Sequence, residues 1–424
     1  MDVMKYESDV LVVGAGASGI PAAIMAARQG ASVVLLEEDA MPGGAPVDNY
    51  VSFLCGGPRL GIYRETVERL NERDNLSGSP VENFDCGVHS EYWYMPSAYI
   101  GVSLRMLAAE KNIRLVCGVT ADAVLAEDAP TRRRVLGVTG HSSSGRQFEF
   151  RAKVTIDATG TGLVAERAGC EIRYGRDARA DFGESNAPEK ADSKTMPCTW
   201  MYISQRVRPG DTVNRNLIRP GAGFVDPGLG WANEHDPEYR RRNTGIYLHW
   251  GSTVECADTR DSFALAEAQR AAWENVQGDL EVLRSAGYEL HFAPRMGIRE
   301  CRRVMGEHVI TQQDLVEGRF PDDTIAFCDY FLDLWGEDLI SKHHNVHAGI
   351  PYRALVPRGV EGMLTAGKCI SGTHVALSAY RVQPIMAGVG QAAGAAAALA
   401  AKLSTSVRDI PVERLRAICG IANP

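Results

Sequence analysis

The sequence predicts an α/β protein: a parallel sheet with a β-meander, plus an inserted α+β segment. Three observations predict it. An apolar run, Val10 to Val13, passes through a glycine-rich turn into a small-residue helix and then a second apolar run, Ser32 to Leu36. A later run, Val154-Thr155-Ile156-Asp157-Ala158-Thr159-Gly160, has the same parallel-strand pattern and again ends in small residues. After it the pattern changes to Pro/Gly-rich loops, short strands and one long amphipathic helix, until a strand near Met363 and an Ala/Gly-rich helix restore the first pattern.

The opening turn, Gly14-Ala15-Gly16-Ala17-Ser18-Gly19, is a complete G-x-G-x-x-G between a strand and a helix. In that setting each glycine has a physical task. Gly14 permits the tight turn, Gly16 lets the backbone approach a pyrophosphate, and Gly19 lets the helix pack on the strand. The helix N-terminus then offers unpaired N–H groups and positive partial charge to phosphates. Glu37 ends the second strand, where its carboxylate can accept hydrogen bonds from ribose hydroxyls. The sheet is therefore read as dinucleotide-binding.

In order along the chain, Met41-Pro42-Gly43-Gly44 suits a backbone running beside a cofactor. Residues 96–111 read as a helix opening at Pro96 and carrying Leu104, Leu107 and Ala108. Short β-type runs, Arg114 to Cys117, Val135 to Val138 and Gln147 to Phe150, read as the meander. Arg132-Arg133-Arg134 suits a solvated hairpin. Loops rich in Pro and Gly run from Arg208 to Gly230. A helix over about 259–286 carries the stripe Phe263, Ala266, Trp273, Val276, Leu280 and Leu283, a core face. The strand Met363 to Gly367 and a helix from about Pro384 to Lys402 close the sheet domain. The expected division is 1–175 for the first part of the sheet domain, 176–349 for an inserted substrate domain and 350–424 for the remainder.

With 424 residues, 45% apolar and 23% charged, the composition is that of a globular protein with a large core. A net charge of −8 argues against a nucleic-acid or anionic-membrane partner. No charged-then-apolar leader precedes the first strand, and no apolar run is read as approaching bilayer-spanning length. Ten scattered cysteines lack C-x-x-C or cluster spacing, which points to reduced thiols in a cytoplasmic protein.

Four segments together resemble the FAD-dependent oxidoreductase family, two-domain flavoproteins of the glutathione-reductase type that are distantly similar to fumarate reductase and succinate dehydrogenase flavoproteins. They are the opening fingerprint, Ile156 to Gly160, Arg295 to Glu307, and the run from Ile350 to Ala400. The last contains Ala366-Gly367-Lys368-Cys369-Ile370-Ser371, Thr373-His374, Arg381-Val382 and Gly390 to Gly394. The resemblance implies FAD as cofactor. With the fingerprint, it marks as cofactor contacts Gly14, Gly16, Ala17, Ser18, Gly19, Glu37, Glu38, Gly43, Gly44, Val119, Ala158, Thr159, Gly160, Gly367, Gln383, Ile385 and Met386. It also places the C-terminal helix at the isoalloxazine ring. Pro384 fits the first turn of that helix, so Arg381 precedes a positive helix end where a reduced flavin carries negative charge.

The catalytic candidates are Arg381, His374, Tyr380, Arg299, His344 and His347. His374 and Tyr380 share the segment before the helix; Tyr380 stands where the family tends to carry a small aliphatic residue. A satisfied core histidine is as compatible with His374 as a catalytic one. His343, His344 and His347 form H-H-x-x-H without the glutamate of a metalloprotease motif, so no metal is expected and a loop or substrate contact is preferred. Arg295, Arg299, Arg302 and Arg303 suit either salt bridges to nearby acids or an anchor for cofactor or substrate oxygens. Gly388, Gly390 and Gly394 fit close helix packing. The expected activity is hydride transfer between flavin N5 and a small organic substrate, as dehydrogenase or reductase. The alternatives are a flavin monooxygenase, a redox-neutral lyase or isomerase retaining FAD, and a non-catalytic FAD protein. A homo-oligomer is compatible with the sequence.

Overall fold

The computed structural model describes residues 3–72, 76–77, 92–208, 246–334 and 345–421. Its main sheet is eight-stranded. Six of the strands are β1 (Met4–Val13), β2 (Val33–Leu36), β3 (Ile113–Val116), β4 (Val119–Asp128), β5 (Arg133–Ser142) and β6 (Gln147–Asp157). Along the sheet they run β5–β6–β1–β2–β3, and β4 pairs with β5. The β3–β2–β1–β6 pairings are parallel, whereas β4–β5–β6 is an antiparallel meander. Residues 10–13 are all buried because successive side chains enter opposite layers: Val10 and Val12 join one core cluster, Leu11 and Val13 the other.

Two sequence expectations change here. The run Arg114 to Cys117 belongs to the parallel sheet as β3, not to the meander. The runs Gln147 to Phe150 and Val154 to Asp157 are one strand, β6. Its first half borders β5 and its second half borders a late strand, Met363–Thr365. The exposed Arg151 and Lys153 between the halves make one strand look like two in sequence.

A three-stranded antiparallel sheet of β7 (Cys198–Arg206), β8 (Ile246–Val254) and β9 (Tyr288–Phe292) has β7 at its centre. Of the helices, α1 (Gly19–Arg28) follows the fingerprint, α2 is Pro96–Ala109, and α3 (Ser262–Ser285) lies against this second sheet. The buried face of α3 is Ala268, Ala272, Val276, Leu280 and Leu283. Phe263 is 83% exposed, and Ala266 and Trp273 also face out, so of the expected stripe only Val276, Leu280 and Leu283 belong to the core face. A hairpin of β10 (Thr324–Phe331) and β11 (Asn345–Pro351) follows. Its residues Ile325, Cys328, Val346 and Ile350 share a core cluster with Val10 and Val12, so packing is continuous across position 349. Strand β12 (Met363–Thr365) then pairs with β6.

Two helices close the chain's main core, α4 (His374–Tyr380) and α5 (Gln383–Leu403). The 21-residue α5 is long and apolar enough by composition to cross a membrane, which corrects the expectation that no such run exists. Its apolar character serves the core instead, where it is buried nearly throughout. It crosses α1 so closely that a Cβ on Gly390 would lie 2.0 Å from the Ser18 carbonyl oxygen, and one on Gly394 2.0 Å from that of Ala22. These glycines are contact points of two helices.

Candidate functional site

A cavity of about 380 Å³ opens where β1, β6 and α1 meet the start of α5. One end is made largely of backbone. Gly14, Gly16, Ala17, Ser18, Glu37, Glu38, Gly44, Val119, Ala158, Thr159, Gly160 and Gly367 all line the cavity, as expected. Gly14 has φ +102°, and a Cβ there would meet the Ala158 carbonyl oxygen at 2.5 Å. Gly44 has φ +59°, and a Cβ there would lie 2.7 Å from the Gly16 Cα. Two chain segments thus approach across a gap that only glycines leave open. No side chain caps the first turn of α1; the Ile20 and Ala22 N–H groups donate to the Gly16 and Ser18 carbonyls at 3.1 and 3.0 Å, and Pro21 has no N–H.

The acidic residues here are more constrained than a ribose acceptor requires. Glu37 Oε2 accepts from the Ala15 N–H at 2.6 Å and Oε1 from the Asp39 N–H at 3.0 Å. Burial raises its pKa. The carboxylate therefore shapes the fingerprint loop while its remaining lone pairs face the cavity. Arg295 reaches across from the other side of the cleft to Glu38 at 2.7 Å and Asp39 at 2.7 Å. Asp48, which no sequence signal marked, also lines this end, and its carboxyl is pushed up to about 7 by burial and then by Asp39 and Glu37.

The other end is made of side chains from distant segments: Phe53 and Cys55, Met201 and Trp250, Arg299, Tyr330 and Asp333, then Arg381 to Gln383 and Met386. Arg381 is the C-cap of α4 and stands just before Val382, the N-cap of α5. Its guanidinium bonds the Asp333 carboxylate at 2.7 Å, so its charge is largely matched. Gln383 ties this helix start to the wall, donating to the Val51 carbonyl at 2.5 Å and accepting from the Tyr94 hydroxyl at 3.1 Å. Arg299 donates to the Pro197 carbonyl at 2.6 Å. Burial, then the nearby Arg381, push its pKa down to about 9.

Several expected site residues lie elsewhere. Gly19 packs on Gly14, where a Cβ would sit 1.7 Å from the carbonyl oxygen. Gly43 is turned against Val47, and Ile385 is buried in the core. His374 is 2% exposed, and its Nδ1 bonds Glu300 at 2.7 Å. Arg303, fully buried, joins the same network by pairing with Glu300 and with Asp177 at 2.9 Å. Tyr380 is wholly buried, its hydroxyl donating to the Ile370 carbonyl at 3.3 Å. His347 is exposed and paired with Asp329. His343 and His344, like residues 209–230, lie outside the described residues. No group of three or more His, Cys, Asp or Glu side chains with metal-binding geometry occurs among the described residues.

Sequence reasoning missed Tyr330, Lys368, Phe53, Met201 and Trp250. Lys368 was in a quoted motif, but its place beside Gly160 follows only from the β6–β12 pairing. Nothing local in sequence brings Phe53 and Trp250 to a ring separation of 4.8 Å.

The glycine-lined gap, the uncapped α1 N-terminus and the buried Glu37 fit an adenine dinucleotide carrying a diphosphate. Comparison with known proteins agrees. The family described as FAD dependent oxidoreductase matches residues 9–418. A digoxin reductase of Eggerthella lenta is 48% identical over 80 residues, 19% of this chain and 13% of that protein. A thiamine thiazole synthase of Archaeoglobus fulgidus is 28% identical over 164 residues, 36% of this chain and 56% of its own. The chain thus spans 13% of the first relative's length and 56% of the second's. A Mycobacterium smegmatis Sdh1 structure overlaps 96% of this chain and 70% of its own at 14% identity, with a TM-score of 0.43. With the family matching nearly the whole chain, the protein belongs to the FAD-dependent oxidoreductases and takes FAD as its cofactor.

Proposed function

We propose that the protein is a dehydrogenase or reductase that moves a hydride between flavin N5 and a carbon of a small organic substrate. The observation that carries this is the continuity of the cavity. One space joins the dinucleotide cradle to a walled end of mixed apolar and charged side chains, with the start of α5 between them. When bound, FAD supplies a ring that accepts or donates a hydride.

The chain's own residues do the rest. The α5 N-terminus, with Val382 and Gln383, presents a positive helix end toward the cavity. Arg381 and Asp333 form a fixed ion pair at the substrate end. Phe53, Met201 and Trp250 exclude water from that end. A proton must accompany the hydride, and Tyr330 can carry it. Tyr330 lines the cavity; its hydroxyl accepts a hydrogen bond from the Cys55 thiol at 3.4 Å and is kept protonated at neutral pH because burial raises its pKa. The ten scattered cysteines, without C-x-x-C spacing, support a reducing compartment as its location.

Anaerobic stopped-flow mixing of the holoenzyme with candidate donors tests the reading: bleaching of the flavin band without oxygen is the expected result. Oxygen uptake that requires NAD(P)H would favour a monooxygenase instead. Turnover with a flavin that stays oxidised throughout would favour a redox-neutral enzyme.

A further inference from the structure

The sequence holds no C-x-x-C, yet the fold brings two distant cysteines together at one end of the β7–β8 pair. Cys198 opens β7, and its register partner is Val254, the last residue of β8. Side chains alternate between the faces of a strand, so Cys256, two residues on, follows Val254 on the Cys198 side. Both cysteines pack in one cluster with Val254, Ala268 and Met296. Their thiols are hydrogen-bonded, Cys198 donating and Cys256 accepting, and both are free. Cys198 is wholly buried, whereas Cys256 is half-buried and open to a small reagent.

The pair adjoins the cavity wall. On one side of Cys198, the Pro197 carbonyl accepts from the Arg299 guanidinium at 2.6 Å. On the other, Thr199 and Gly297 exchange both backbone hydrogen bonds, at 3.0 and 2.7 Å. Thr199, Gly297 and Arg299 all line the cavity. Cys198 therefore sits between the two residues that carry the 297–299 segment. Cys256 lies beyond the last β7–β8 ladder pair, so a small shift of its backbone breaks no ladder bond. Such a shift can bring the two Cβ atoms to the separation a disulfide requires.

We propose that Cys198 and Cys256 are a modification site, closing to a reversible disulfide when the protein meets a peroxide and so bracing the cavity wall. The site does not depend on which reaction the flavin performs. Burial raises both thiols, so the resting pair is neutral and the reaction is slow. Within the pair, the Asp258 N–H and the Cys198 thiol both donate to the Cys256 sulfur, which makes Cys256 the nucleophile. Its thiolate attacks one oxygen of hydrogen peroxide, the O–O bond breaks, and the departing hydroxide takes up the proton that Cys256 released. The sulfenic acid formed is then attacked by the Cys198 sulfur. The S–S bond forms as the hydroxyl leaves with the Cys198 proton as water. Two thiols and one peroxide thus give one disulfide and two waters.

Peptide mapping of the FAD-loaded protein tests this. After hydrogen peroxide, iodoacetamide and trypsin, residues 195–206 and 243–260 are separate peptides with one cysteine each. We expect them linked, lighter by two hydrogens than their sum, and parted again by dithiothreitol. Amide hydrogen exchange at Thr199 and Gly297 should slow several-fold in the linked protein and recover on reduction. Cys256→Ser should lose both the linked peptide and the exchange response, and this half-buried position remains informative where Cys198→Ser does not fold. Peroxide that leaves Cys256 as a sulfinic or sulfonic acid, with no linked peptide, overturns the proposal. So does a link from either cysteine to a third one, or unchanged exchange at Thr199 and Gly297 in the linked protein.

Discussion

The two ends of the cavity are built by opposite means. The cradle is backbone: Gly14, Gly16 and Gly44 leave a gap, and Glu37 fixes the loop through two amides. The substrate end is side chains, drawn from six distant segments and held by Gln383, the Arg381–Asp333 pair and packing around Phe53. A backbone site tolerates change in most neighbouring side chains but no added Cβ at its glycines. A side-chain site tolerates backbone substitution elsewhere but loses one property with each residue. Beneath the second end, Asp177, Glu300, Arg303 and His374 form a buried network that holds the 295–304 segment in place.

The largest effect should come from that network. Arg303→Met leaves Asp177 and Glu300 without their buried cation and should cost about 3–5 kcal/mol of stability, measured by urea unfolding. If stability is unchanged, the network is not what supports the substrate end. The next effect breaks the cradle. Gly14→Ala adds a Cβ at φ +102° with the Ala158 carbonyl 2.5 Å away. A cost of about 2–4 kcal/mol from strain and overlap should appear mainly as lost FAD, seen as colourless purified protein. Full FAD content in this variant would break the distinction between the two ends.

The cradle was legible in sequence because its chemistry lies in one contiguous stretch whose spacing has a mechanical meaning. The parallel sheet followed from short apolar runs, and the α5 glycines from the absence of a preceding turn. The substrate end was not legible. Phe53, Met201, Trp250 and Tyr330 are ordinary core residues in local sequence, and only the β7–β8 and β10–β11 pairings aim them at one space. The arginine cluster shows the limit most clearly. Arg299 and Arg303 stand four residues apart, yet one lines the cavity and the other is committed to a buried network. Arg295 and Arg302 are likewise in ion pairs, with Glu38 and Glu166. His374 and Tyr380 had the right sequence neighbours, but α4 turns both into the core.

Smaller effects sharpen the comparison. Asp333→Asn leaves Arg381 unopposed and should raise the flavin midpoint potential, while Arg381→Gln should lower it. Each shift should be on the order of 20–40 mV, about 1–2 kcal/mol for two electrons. Equal potentials in both variants would show that the pair acts only in packing. The smallest effect is one of pH. The folded pKa of Asp48, about 7, lies above its unfolded value, so its contribution to stability is full below about pH 4 and is lost as pH rises through about 7. Asp48→Asn should flatten that slope in the FAD-free protein by roughly 1 kcal/mol after solvent screening, read from Tm between pH 5 and pH 8.

The central claim is that one cavity brings substrate carbon and flavin together for direct hydride transfer. Its most direct test is the rate of anaerobic flavin bleaching by an active donor, measured with hydrogen and with deuterium at the oxidised carbon. The account predicts one substrate consumed per flavin reduced and a bleaching rate several-fold slower for the deuterated donor. Bleaching with no isotope effect under single-turnover conditions, or product formed while the flavin stays oxidised, would contradict it.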